Sequence, residues 1–140
     1  MQLDIYLQET AAHAARLEVM LADAKGRLIE SGTLTPLETG GALHAIQVLV
    51  ENAIGKAKQL VKAARGVTPV DAYSAFEDLA ALGMLTAGEL GNWRQVIGMR
   101  SRIVHDYLNI DTQVLFALLR DDAYQFVVDF LQRHERPGNR

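Results

Sequence analysis

Residues 3–29 read LDIYLQETAAHAARLEVMLADAKGRLI. Leu3, Leu7, Ala14, Leu17, Leu21, Ala24 and Leu28 recur at steps of three and four, counting Thr10 as a member of the same row. A helix turns once in about 3.6 residues, so such a row forms one apolar stripe along a long helix. Strands would need alternation by two, and that pattern does not appear along the chain. The stretch therefore predicts a helix, and Glu30-Ser31-Gly32-Thr33 stops it.

The same period continues beyond the stop. Pro36 suits a helix's first turn, where its missing N–H costs nothing. Leu43, Ile46, Val50, Ala53, Ala57, Leu60 and Ala64 form the next stripe, widened by Val48, Leu49, Ile54 and Val61. A helix apolar over so much of its circumference is central in the fold or covered by a second subunit. Gly66 ends it. Thr68-Pro69 opens a short third helix over about Val70 to Leu82, with Tyr73, Phe76, Leu79 and Leu82 facing inward and Gly83 as its stop. Thr86-Ala87-Gly88-Glu89 reads as a capping box, in which Thr and Glu side chains satisfy exposed backbone N–H groups reciprocally. A fourth helix then runs to about Tyr107. Asp111 is the expected N-cap of a fifth, carrying Leu115, Leu118, Leu119, Phe126, Val127 and Phe130. The expectation is an all-α, mostly antiparallel bundle of four to five helices.

Composition fits one domain over residues 1–140, with the last few residues disordered. At 140 residues and 49% hydrophobic, the chain can bury its own core. Without cysteine there is no disulfide framework and no thiolate nucleophile. No apolar run reaches membrane-spanning length and the N-terminus lacks a secretory pattern, so the expected location is cytoplasmic. A net charge of −3 argues against a general nucleic-acid coat but leaves room for a local basic site. Lys56, Lys58, Lys62 and Arg65 read as a solvated helix face, while Arg94, Arg100 and Arg102 form a second basic group.

The chemistry concentrates in Arg100-Ser101-Arg102-Ile103-Val104-His105-Asp106-Tyr107. The fourth helix's packing stripe runs Leu90, Trp93, Ile97, Arg100, Val104, Tyr107, which places a guanidinium on an apolar row. Two readings stay open: the row lines a crevice or subunit seam that holds an anion, or the Arg stem packs while its head reaches water. His105 lies about 140° around the helix from Arg100, so one regular helix does not point both at one group. A loosened helix end, or a second copy across a two-fold axis, would bring them together. His13, His44, His105 and His134 are dispersed, no glycine-rich phosphate loop is present, and neither a metal site nor a cofactor is expected.

Arg100, His105 and Tyr107 resemble a known signature: an Arg, four residues, a His, one residue and a Tyr. They are set in Trp93-Arg94-Gln95-Val96-Ile97-Gly98-Met99-Arg100 and followed by Leu108-Asn109-Ile110-Asp111. On these residues the chain resembles the HepT-like branch of the HEPN superfamily, small all-helical toxins paired with a minimal nucleotidyltransferase antitoxin. The motif covers residues 93–111, and the helix order matches along about the whole chain. The resemblance implies a homodimer with the motif at its interface and metal-independent endoribonuclease activity on RNA. It also implies Tyr107 as the residue that the antitoxin adenylylates. Arg100 and His105 would be catalytic, with Ser101 and Arg102 as further phosphate contacts. Ser101 departs from the strongly polar residue that often follows the motif Arg. Glu51 is present in the second helix, but Gly55 or Lys56 stands where relatives carry a further acid, so no role is carried over to it. The alternative is a non-catalytic helical subunit that binds nucleotide or a nucleotidyltransferase partner.

Overall fold

The apolar rows become helices in the computed structural model, which describes residues 2–105, 111–135 and 137, without the side chains of residues 103–105. Six helices follow in order among the described residues: α1 (Gln2–Ser31), α2 (Pro36–Arg65), α3 (Ala72–Ala81), α4 (Ala87–His105), α5 (Thr112–Arg120) and α6 (Gln125–Gln132). No strand occurs among the described residues.

The first row buries as its spacing predicts: Leu7, Ala14, Leu17, Leu21, Ala24 and Leu28 all enter the core. Gly32, at φ 77°, ends α1 in a left-handed conformation that a side chain would strain. Thr35 then starts α2 with a reciprocal cap: its hydroxyl accepts from Glu38 N, and Glu38 Oε1 accepts from Thr35 N. This capping box stands in the sequence as Thr-Pro-Leu-Glu and adds to the Pro36 signal. Cross-helix pairs fix the α1–α2 hairpin as antiparallel. Arg27 pairs with Glu38 near the turn, and Asn52 bonds His13 at 3.0 Å farther along.

Helix α2 is the hub, packing against α1, α3, α4 and α6. Its expected row is buried from Leu43 to Leu60, whereas Ala64, in the last turn of the helix, is exposed. The buried side chains of all these helices join in one core.

Three readings are corrected. The third helix begins at Ala72, since the Asp71 carboxylate caps it by accepting from Ser74 N at 2.8 Å; Val70 is 94% exposed. The expected fifth helix is two helices. Asp122 breaks it at φ 53° and is held by Lys25, whose Nζ bonds both carboxylate oxygens at 2.8 and 2.9 Å. Lys56 is not on a solvated face: it is 1% exposed. Its ammonium donates to Phe130 O at 2.5 Å and Arg133 O at 2.8 Å, closing the C-terminal end of α6. Lys62 and Arg65 are exposed as expected, and Lys58 is half-buried. The expected disorder of the last residues falls largely outside the described residues, which near this end include only residues up to 135 and 137.

Candidate functional site

Helix α4 carries the motif, and three devices set its position. Its start is capped as predicted: Glu89 N donates to the Thr86 hydroxyl and Thr86 N to the Glu89 carboxylate. The same carboxylate accepts from Arg133 beyond α6, and that contact, with the Thr86 backbone, holds its pKa below the usual carboxylate value. Trp93 then anchors the helix. Its indole stacks on Phe76 at 4.2 Å between ring centroids and packs on Phe126 and Phe130 of α6 at 4.9 and 5.0 Å. Among the described side chains of α4, Trp93 alone is fully buried; Leu90, Val96, Ile97, Met99 and Arg100 are half-buried.

Arg100 follows Trp93 by seven residues, two turns along nearly the same face. Its side chain lies at the seam with α2 and is 36% exposed. Among the described residues the nearest carboxylate is Glu51 of α2, with Oε1 at 3.5 Å from Arg100 Nη2 and its own side chain 43% exposed. Gln47 Nε2 also reaches that oxygen, at 3.4 Å. The Arg100 Nε is buried without a hydrogen-bond partner among the described residues. Among these residues the guanidinium has a loosely held charge partner and donors to spare, while its stem packs on the row. Sequence reasoning placed Arg100 on this row but gave Glu51 no role. Its signal was a carboxylate next to Val50, a core position of α2.

The basic group read from the sequence does not converge. Arg94 lies over the Tyr73 ring and donates to its hydroxyl at 2.9 Å, toward α3. Arg102, two residues beyond Arg100 and about 200° around the helix, lines a groove on another side of α4. Ser101 is exposed. His105 is the last residue of α4, but its side chain lies outside the described residues, and so does all of Tyr107.

The groove beside Arg102 holds about 370 Å³. Ile46, Leu49 and Val50 of α2 line it, with Val96 and Met99 of α4 and Leu118 and Phe126 across from them. It is mostly apolar, and among the described residues Arg102 is the charged side chain in its lining. Among the described residues, no three His, Asp or Glu side chains gather as a metal site would require. No described helix is long and apolar enough to cross a membrane.

A curated protein of Archaeoglobus fulgidus, named "Putative RNase", is 27% identical over 101 residues, covering 72% of this chain and 75% of its own. The fold is similar to a solved structure of a tri-AMPylated HEPN toxin of Shewanella oneidensis in complex with an MNT antitoxin. That similarity has a TM-score of 0.76 at 16% identity and covers 91% of this chain and 96% of the other. Residues 15–133, which include α2, α4 and the whole Arg100–Glu51 seam, match the family described as Ribonuclease HepT-like, and the chain belongs to that family.

Proposed function

We propose that this protein is the toxin of a toxin–antitoxin pair: a single-domain, homodimeric endoribonuclease that cleaves RNA without a metal. A cognate nucleotidyltransferase would silence it by adenylylating Tyr107. The observation that carries the reading is Arg100, a partly exposed side chain whose Nε has no partner among the described residues, five residues before His105 in a ribonuclease-family chain.

The chemistry needs few groups because RNA brings its own nucleophile. His105, an imidazole that can serve as a general base, takes the proton from the ribose 2′-hydroxyl. The 2′-oxygen attacks phosphorus, the bond from phosphorus to the 5′-oxygen breaks, and that oxygen leaves with the proton that the imidazolium gives back. The products are a 2′,3′-cyclic phosphate and a 5′-hydroxyl. Arg100 holds the non-bridging oxygens and favours the more highly charged transition state. Ser101 and Arg102 are further candidates for backbone contact along the strand. In a dimer, each copy's His105 is available to the other copy's Arg100, which answers their angular separation on one helix. The open apolar groove along the Arg102 side of α4 supports a subunit surface on this helix.

Adenylylation of Tyr107 would add bulk and a phosphate two residues beyond His105, where its charge competes for Arg100. The neighbour of similar fold, itself AMPylated and bound to an MNT antitoxin, supports this control.

The test uses purified protein in EDTA. Wild type cleaves RNA, while Arg100→Ala and His105→Ala each lose at least about a hundredfold in rate with helical content unchanged. Cleavage retained by both variants rejects the roles. Incubation with ATP and the partner should add AMP to wild type and not to Tyr107→Phe, as read by mass spectrometry. A non-catalytic, partner-binding subunit is the second reading. The groove favours it equally, and it predicts binding with no RNA cleavage.

A further inference from the structure

Arg100 meets its carboxylate in an unusual way for a protein-internal pair. The Nη2–Oε1 distance of 3.5 Å exceeds the roughly 2.7–2.9 Å of a charge-assisted hydrogen bond. The closest approach of Glu51 to the guanidinium is at Nη2, and the buried Nε has no hydrogen-bond partner among the described residues. A guanidinium offers five donors in a planar fork, so this pairing leaves most of them unused. Both side chains are more than a third exposed, so an anion from solution reaches the same edge. Glu51 also shares its oxygen with Gln47 of its own helix, which gives the carboxylate somewhere to stay when Arg100 turns away.

We propose that Glu51 is a built-in competitor for the RNA phosphate at Arg100, a resident anion that occupies part of the guanidinium in the free protein and is displaced when a phosphodiester binds. The ligand's identity rests on the nuclease reading; the competition itself rests on the α2–α4 geometry. A phosphate that reaches Arg100 meets a cation already partly neutralised. The cost of displacing Glu51 weakens binding and sets the affinity of the site. Removing the carboxylate charge while keeping its shape therefore tightens binding, and does so only through Arg100.

The experiment measures binding of a 2′-O-methyl RNA oligonucleotide, which has no free nucleophile, by fluorescence anisotropy across a salt series. Glu51→Gln should bind about three- to fivefold more tightly than wild type, the size expected for one partly screened charge. Its salt slope should steepen by about 0.7, the increment for one more phosphate neutralised on a single strand. Both effects should vanish when Arg100→Ala is added. Unchanged or weaker binding by Glu51→Gln overturns the proposal, as does tightening that survives loss of Arg100 or a failure of both wild type and Glu51→Gln to bind. A parallel cleavage assay with unmodified RNA keeps the readings apart. No cleavage by wild type defeats the nuclease reading while the binding comparison still decides the role of Glu51.

Discussion

Two cations on apolar rows have opposite fates, and the difference lies in what surrounds each head group. Lys56 lies between Ala53 and Leu60 on a buried face of α2, and its ammonium ends among the last carbonyls of α6 and 4.8 Å from the Phe130 ring centre. Helix C-terminal carbonyls carry partial negative charge, which compensates a buried cation in part. Burial, with Arg133 nearby, still lowers the Lys56 pKa to about 8. The unfolded chain then binds the proton more tightly than the folded one. Lys56 therefore weakens the fold while charged, and stability rises as pH climbs from about 8 toward 10.5. Between pH 8 and 10, the urea unfolding free energy of wild type should gain roughly 1–2 kcal/mol relative to Lys56→Met, after allowance for solvent screening. Parallel profiles for the two proteins would contradict the assignment. Arg100, by contrast, keeps its head partly in water beside a movable carboxylate, which suits an arginine that must change partners.

At the scale of helices, α4 is held by its cap and one aromatic anchor, and both can be tested apart from activity. Trp93→Ala removes the ring stacked between α3 and α6 and should cost about 3–5 kcal/mol. Thr86→Ala deletes the hydroxyl that caps α4 and should cost about 1 kcal/mol, read as a lowered Tm. Most of this level was legible in the sequence. The row through Leu7, Leu17 and Leu28, the Thr86–Glu89 box and the stop at Gly66 are local signals, and the structure uses each of them. The division of the last helical segment was hidden because the apolar period runs on from Leu119 to Phe126. The break depends on Asp122 reaching Lys25 of α1, a contact between residues 97 apart in sequence. Lys56 was misread for a related reason: its partners lie on α6, so nothing next to it in sequence reveals them. At the site, Arg100 stood out as a charge on an apolar row. The opposing Glu51 required the register of α2 against α4, which a single helical wheel does not contain.

At the scale of the molecule, α2 forms the hub and α4 leans on it with one fully buried described side chain, beside an open apolar groove. Such a half-covered helix is suited to a subunit surface, and the proposed dimer uses it. Val96→Glu with Met99→Glu places two charges in the groove wall and should convert a dimer to a monomer in analytical ultracentrifugation, with helical content retained. A double variant that sediments like wild type would remove this groove from the interface. The central claim, that a guanidinium and an imidazole of α4 cut RNA using its own 2′-hydroxyl, is tested most directly with a DNA oligonucleotide carrying a single ribonucleotide, incubated in EDTA and analysed by mass spectrometry. The account predicts one cut, immediately 3′ of the ribose, leaving a 2′,3′-cyclic phosphate with wild type and no cut with Arg100→Ala or His105→Ala. An intact oligonucleotide with wild type, or a cut that persists without both side chains, would contradict it.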